Sequence, residues 1–141
     1  MKIKKSILLA FVVSILTLSS STLYAHDEGD KKTQKTVEML RNTLSKPNKQ
    51  TWQMYSKAAQ LCINRGINLE EAKEWIDKAV TLNPNEYTLE IMGDFYYRSE
   101  MVEEAWKYYR EALLAGMNNK DRELIHRLQY KILRVNDYLK Q

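Results

Sequence analysis

The sequence is poor in cysteine, proline, glycine and histidine. Its 141 residues include one Cys, two Pro, four Gly and two His. A single cysteine cannot form an intrachain disulfide, so a disulfide-stapled scaffold is excluded. The scarcity of glycine and proline argues against a turn-rich β architecture, and the 44% hydrophobic content argues against intrinsic disorder. The length fits one domain with a single hydrophobic core.

A run of apolar residues long enough to span a membrane is also missing. The basic residues 1–5 are followed by the mostly apolar residues 7–18, a small polar run at 19–22, and Ala25. This layout is typical of a secretory signal peptide, whereas a spanning helix needs about 20 apolar residues. We predict a signal peptide over 1–25 that is cleaved after Ala25, with export to the bacterial periplasm or the exterior and no stable membrane insertion afterwards. An uncleaved anchor is the alternative.

The formal net charge of +4 is unevenly distributed. Three of these charges belong to the leader. Residues 26–65 carry 8 basic and 4 acidic side chains, residues 66–116 carry 5 and 11, and residues 117–141 carry 6 and 3. An acidic centre between basic ends favours a partner with a basic segment, or another copy in head-to-tail contact. Nucleic acid is not an expected partner, because acids interrupt the basic and aromatic stripes.

The middle of the chain repeats itself. A shift of 33 residues aligns the sequence Glu-Glu-Ala at 70–72 with the same sequence at 103–105. The shift also pairs Ile76 with Tyr109 and Ala79 with Ala112. A period of 33 to 34 residues indicates stacked helix–turn–helix units.

The apolar periodicity and the punctuation of the sequence predict six helices. Gly66 is suited to a left-handed helix cap, and Asn68 to capping the helix that follows. The turn near Ser99 and Glu100 has no glycine, so we expect it to be tight. The predicted helices cover Asp30–Ser45, Trp52–Asn64, Glu70–Leu82, Glu86–Arg98, Val102–Ala115 and Asn119–Leu139.

These residues resemble the tetratricopeptide repeat family. Met92-Gly93-Asp94-Phe95-Tyr96, followed by Ala105, Tyr109 and Ala112, match the family's hydrophobic, Gly, Tyr and Ala positions. The first unit keeps Ala72, Ile76, Ala79 and a terminal Pro84 but has Ser56 at the family's Trp position. The resemblance implies an all-α fold of antiparallel helix–turn–helix repeats that form a short right-handed solenoid. An irregular helical bundle is the alternative.

Two repeats are too few to bury their apolar faces, so flanking helices are expected to cap them. The predicted domains are a tail and N-terminal helix over 26–50, the repeats 51–84 and 85–117 that together span 51–117, and a capping helix over 118–141. One helix face offers Val37, Leu40 and Leu44, and the last helix offers Leu124, Leu128, Ile132, Val135 and Leu139. The opposite side of the last helix is expected to face solvent with Arg122, Arg127, Lys131 and Arg134.

The sequence shows no catalytic constellation, so we predict a protein that is not an enzyme and has no cofactor or metal. His26 and His126 lie at opposite ends of the mature chain, and copper binding by them is a minor alternative. Cys62 falls on an apolar helix side and is expected to be buried and inert. The recurring aromatic residues are expected to fill spaces between helices. They are Trp75, Phe95, Tyr96, Trp106, Tyr108 and Tyr109.

In tetratricopeptide proteins the first helix of each unit lines a concave groove that holds a peptide or protein segment. The resemblance therefore implies a partner-binding groove formed by Met54, Lys57, Leu61, Asn64, Tyr87, Glu90, Ile91, Asp94 and Tyr97. Solvation of this face, or its packing against the flanking helices, is the alternative. The family's carboxylate clamp is not reproduced, because Leu61 and Ile91 stand where its amides would be.

We therefore expect an exported scaffold or adaptor that binds a protein or peptide. The alternative is an accessory subunit of an exported enzyme or envelope assembly. Direct metal binding or catalysis is the third and least favoured hypothesis.

Overall fold

The computed structural model describes residues 29–118 and 121–140. The predicted signal peptide, its cleavage site and His26 lie outside the described residues. Over these ranges the fold is all-α, as the sequence predicts. The helices are α1 (residues 29–44), α2 (Trp52–Arg65), α3 (Leu69–Leu82), α4 (Glu86–Arg98), α5 (Val102–Gly116) and α6 (Arg122–Leu139), with a short 3-10 helix at Pro47–Lys49.

The described residues divide between two units, with residues 29–39 in the first and residues 40–118 and 121–140 in the second. Residues 29–39 are the described part of the first unit, and they are helical. The second unit contains α2 to α6 and therefore both predicted repeats.

The first repeat is bounded by local cap geometry. The Thr51 side chain accepts a hydrogen bond from the Met54 amide at 3.3 Å and starts α2. Gly66 ends α2 in the left-handed conformation, with φ 67°, and the Ile67 amide returns to the Cys62 carbonyl at 3.1 Å. This is the cap that the sequence predicts at Gly66.

Asn68 precedes α3, but its predicted side-chain cap is wrong. Its backbone is itself left-handed, with φ 47°, and its side chain makes no cap hydrogen bond. A capping side chain reaches the first free amides of a helix from an extended backbone, and the left-handed backbone at Asn68 does not offer that direction.

The second repeat begins with a reciprocal cap and turns without glycine. The Asn85 side chain accepts from the Thr88 amide, and the Thr88 hydroxyl accepts from the Asn85 amide, both at 3.0 Å. Between α4 and α5 the turn is tight, as predicted, and Glu100 adopts φ 61°. A left-handed backbone is unfavourable for a residue with a β-carbon, so the surrounding packing must hold this turn.

The two helix pairs bury equivalent positions. Within the second unit α2 packs on α3, α4 packs on α5, α3 and α2 both contact α4, and α5 contacts α6. The residues that the 33-residue shift aligns are buried in both repeats. The aligned pairs are Ala72 with Ala105, Ile76 with Tyr109, and Ala79 with Ala112. The structure thus confirms an all-α fold of helix–turn–helix repeats.

Close approach within the second pair depends on Gly93. A β-carbon at this position would lie 2.5 Å from Cδ1 of Tyr109, well inside van der Waals contact. The absence of a side chain at Gly93 lets the buried Tyr109 ring of α5 lie directly against the α4 backbone.

The flanking helices bury most of the apolar faces predicted for them. Val37, Leu40 and Leu44 are buried in α1, and Leu124, Leu128 and Val135 are buried in α6. Leu139 differs from the prediction, because it lies at the end of α6 and is 46% exposed. The Arg41 guanidinium binds both carboxylate oxygens of Glu71, at 2.7 and 2.8 Å, and fastens the end of α1 to α3.

Candidate protein-binding face

Helix α2 carries the open part of the predicted groove. Lys57 and Asn64 are exposed, while Met54 and Leu61 are half-buried. These four residues lie three or four positions apart, so they share one helix face. The face offers a cation, an amide and two apolar side chains.

Tyr87 of α4 lies against α2. Its hydroxyl donates to Oε1 of Gln60 at 2.9 Å, and its ring meets the Trp52 ring edge-on, with centroids 6.4 Å apart. Burial and the nearby Glu90 carboxylate raise the pKa of Tyr87, so its hydroxyl stays protonated and remains a donor. The structure therefore places Tyr87 against Gln60 and Trp52 of α2, which are not among the predicted groove residues.

The next two predicted residues are covered. Glu90 is 5% exposed and Ile91 is 1% exposed. The Arg127 guanidinium of α6 donates to both Glu90 oxygens, at 2.8 and 2.9 Å, and Lys131 Nζ lies 2.8 Å from Oε1. That Glu90 and Ile91 contact a partner stays a prediction. Both side chains are buried, so the residues that cover them would first have to move away.

The charge of Glu90 is stabilised by these contacts. Burial alone would raise the pKa of the Glu90 carboxyl, but the hydrogen bonds from Arg127 and Lys131 outweigh it and hold the pKa below its usual range. The same interaction raises the pKa of Arg127. The ion pair thus stays charged at neutral pH.

Asp94 and Tyr97 continue the contact between α4 and α6. Oδ1 of Asp94 accepts from the Tyr109 hydroxyl at 2.7 Å and from Lys131 Nζ at 2.6 Å. The Arg134 guanidinium lies over the Tyr97 ring, 4.8 Å from its centroid. Burial and the Asp94 carboxylate strongly raise the pKa of Tyr109, so its hydroxyl is a permanent donor.

These contacts correct part of the expectation that the basic side of α6 faces solvent. Arg122, Arg127 and Arg134 are exposed, as expected, but Lys131 is partly buried against Glu90 and Asp94 of α4. Arg127 and Arg134 also contact α4, at Glu90 and at the Tyr97 ring. The physical reason is that Glu90 and Asp94 would be carboxylates partly withdrawn from water, and a matching pair of cations offsets that desolvation. Over α4 the groove therefore follows the alternative, in which its residues pack against a flanking helix.

A signal for this contact is present in the sequence. Glu90 and Asp94 lie four residues apart on α4, and Arg127 and Lys131 lie four residues apart on α6. Residues four apart share a helix face, so the two pairs match if the helices lie side by side. Composition alone did not show which face of α6 turns towards α4.

The reactive side chains outside this face are unexceptional. Cys62 is fully buried, and burial raises the pKa of its thiol to about 11, which agrees with an inert thiol. His126 is exposed on α6. Within the described residues, no group of three or more His, Cys, Asp or Glu side chains is placed to hold a metal ion.

The aromatic residues pack between helices, as the sequence predicts. The Tyr96 and Tyr108 rings stack with centroids 5.2 Å apart, and the ring of Phe95 meets Tyr96 edge-on. Lys73 Nζ lies 5.9 Å from the Tyr96 centroid and bonds the Asp77 carboxylate at 2.6 Å. This cluster links α3, α4 and α5.

No helix in residues 29–118 or 121–140 has the length and apolarity needed to cross a membrane. The chain matches no known family model, no curated protein and no solved structure.

Proposed function

We propose that this protein is a non-catalytic exported scaffold, related to tetratricopeptide proteins, that binds a protein or peptide through the inner face of its first helices. The observation that supports the proposal is the face of α2, where a cation, an amide and two apolar side chains share one side of the helix and Lys57 and Asn64 are exposed. Tyr87 contacts the same helix through Gln60. Such a mixture suits side-chain recognition of a helix or an extended segment.

The binding surface in this proposal is smaller than the groove that the resemblance implies. Its members are Met54, Lys57, Leu61, Asn64 and Tyr87, which we call the α2 face. Glu90 and Asp94 are excluded from it, because they bind Arg127 and Lys131. The acidic centre therefore does not offer these two charges to a basic partner.

A site-specific photo-crosslinking experiment tests the proposal. A photo-reactive amino acid replaces Lys57 or Asn64 in the protein expressed in its own cells, and the products are identified by mass spectrometry. We expect discrete crosslinked species at both positions. Lys107 and Asn118 are matched controls, since they are an exposed Lys and an exposed Asn outside the α2 face. Equal products at all four positions, or none at Lys57 and Asn64, would contradict the proposal.

The second candidate function is that of an accessory subunit in an exported enzyme or envelope assembly. In this candidate the binding surface is again the α2 face, and only the identity of the bound partner differs. The same crosslinked species decide between them: a catalytic chain or an assembly component supports the accessory role, and other proteins support a free adaptor.

A further inference from the structure

Helix α6 has two sides of very different exposure. Leu128 and Val135 are fully buried in the core that α6 shares with α5. On the other side, Tyr130 and Leu133 are 66% and 62% exposed, although both are large and apolar. A helix turns by about 100° per residue, so the direction midway between Tyr130 and Leu133 is about 180° from the direction midway between Leu128 and Val135. The two exposed side chains therefore form a patch that points away from the core.

Charged and polar side chains flank this patch, and their order is reversed between its two ends. Glu123 and His126 precede the patch, Asp137 and Lys140 follow it, and all four are exposed. Each of them has a counterpart at the same distance from the point midway between residues 131 and 132. We call the six residues that this point relates in pairs the α6 face. The pairs are Glu123 with Lys140, His126 with Asp137, and Tyr130 with Leu133.

This symmetry makes the α6 face complementary to itself. If a second copy lays its own α6 antiparallel against the first, a two-fold axis passes through the midpoint, and the members of each pair meet across it. Each Tyr130 ring then covers Leu133 of the other copy. Each Glu123 carboxylate meets the opposite charge of a Lys140 ammonium, which complements it.

His126 and Asp137 add a polar contact on each side of the axis. An imidazole N–H of His126 donates to the Asp137 carboxylate of the other copy in this arrangement. Asp137 also has an interaction within its own chain, and its charge is what the second copy meets.

The parallel orientation lacks this match. Two α6 helices that lie side by side in the same direction place Glu123 next to Glu123 and Lys140 next to Lys140. Like charges that face each other disfavour association. The charge pattern therefore favours a second copy of this chain in the antiparallel orientation.

We propose that the α6 face is a two-fold interface between two copies of this chain. The same surface is used on both sides, so the contact closes after two copies, unlike the head-to-tail contact that the charges of the chain segments favour. The α6 face shares no residue with the α2 face. The inference goes beyond the proposed function and does not depend on it.

The dimer is expected to be weak and reversible. Helix α6 has 18 residues and is therefore about 27 Å long. One face of such a helix is smaller than the roughly 800 Å² that each partner contributes to a standard interface, and small interfaces are typical of transient complexes. We therefore expect a dissociation constant on the order of 100 µM.

Analytical ultracentrifugation of the protein purified from its own cells tests the proposal. Sedimentation is measured from about 5 to about 500 µM, and we expect a reversible change from monomer to dimer with no larger species. Tyr130→Asp should raise the dissociation constant at least about 10-fold, because it places a charge against Leu133 of the other copy. Tyr138→Asp is the matched control, because Tyr138 is a tyrosine on the same helix, 61% exposed and outside the α6 face. The control should leave the dissociation constant unchanged.

Reversal of one charge pair tests the two-fold symmetry itself. Glu123→Lys and Lys140→Glu should each raise the dissociation constant about 3- to 10-fold, because each change places like charges together at two points of the interface. The double variant should return to within about 2-fold of the wild type, because opposite charges meet again.

This rescue cannot arise within one chain. Glu123 and Lys140 lie at opposite ends of α6, so they do not pair with each other in a monomer. Both changes oppose the helix dipole, and Glu123→Lys also removes the attraction between Glu123 and Arg127 of the same helix. A purely structural effect would therefore be largest in the double variant.

Photo-crosslinking in cells identifies the occupant of the α6 face. A photo-reactive amino acid replaces Gln129, which is exposed and adjacent to Tyr130. A product of two copies joined at this position supports the proposal. A product with another protein or with lipid, equal dissociation constants for the wild type and Tyr130→Asp, or a double variant as weak as the single ones would overturn it. None of these results bears on crosslinking at Lys57 and Asn64, so the two proposals can fail separately.

Discussion

Replacing Glu90 with Gln should destabilise the protein by about 2 kcal/mol. A hydrogen bond to a charged group contributes about 1.5–3 kcal/mol, and removing one partner of a buried ion pair costs about 3–5 kcal/mol. Here the cost is near the lower end for two reasons. The Arg127 side chain is 45% exposed and can be rehydrated, and Lys131 keeps its contact with Asp94.

The assay is urea denaturation followed by circular dichroism, with a thermal scan beside it. For a domain near 100 residues a loss of about 2 kcal/mol lowers the unfolding midpoint by roughly 10 °C. Glu74→Gln is the matched control, because Glu74 is an exposed glutamate on α3. It should change the free energy of unfolding by less than about 0.5 kcal/mol. If Glu90→Gln were no more destabilising than Glu74→Gln, the ion pair with α6 would contribute no net stability.

The pH dependence gives a second check with a definite sign. The folded pKa of Glu90 lies below its usual range, because Arg127 and Lys131 outweigh the opposing effect of burial. Its contribution is therefore fully present above the unfolded pKa of about 4.3, and it is lost as pH falls through the lower folded pKa. The stability difference between the wild type and Glu90→Gln should be constant near neutral pH and should shrink in acid. A difference that grows as pH falls would refute the reasoning.

Three further predictions concern the core of the repeats. Gly93→Ala should lower the free energy of unfolding by about 1–3 kcal/mol, because the new β-carbon would lie 2.5 Å from the Tyr109 ring. Gly29→Ala is the control: a β-carbon at Gly29 would have no atom within 4 Å, so its free energy of unfolding should be close to that of the wild type in the same urea denaturation assay. Tyr109→Phe should cost about 1 kcal/mol by removing the 2.7 Å hydrogen bond to Asp94; unchanged urea unfolding would contradict that contact. Cys62 should react with a thiol reagent at pH 8 only after unfolding, since it is buried and its pKa is raised to about 11; rapid labelling of the native protein would show an accessible thiol.

Helix positions were largely predictable because their signals are local. The sequence predicts α4 at Glu86–Arg98, and the structure places it there. Asn85 and Thr88 are close enough in sequence to form their cap without help from the rest of the chain. Gly66 is likewise a local signal. Asn68 shows the limit of this reasoning, because the tight turn after Gly66 gives it a left-handed backbone that its residue type does not reveal.

The candidate site was less predictable because it depends on contacts between distant residues. The resemblance places Lys57 and Asn64 together on the groove surface, and the structure has both exposed on one face of α2. The same reasoning places Glu90 on the groove surface, where the structure has it buried beneath α6. Phase within one helix says which residues share a face, but it does not say what covers that face.

The sequence by itself determined the all-α class, the repeat period and the helix ends to within about one residue for α1 to α5, because each follows from interactions between residues a few positions apart. Only the tertiary structure decided that the basic side of α6 turns towards α4. That choice joins Glu90 to Arg127, which are 37 residues apart, and it depends on how α6 rotates to bury Leu128 and Val135. The same rotation places Tyr138 on the wall of a surface pocket that Tyr97 of α4 also lines. Burial of the apolar face of a helix fixes the direction of its polar face, and that direction exists only once the partner helix is in place.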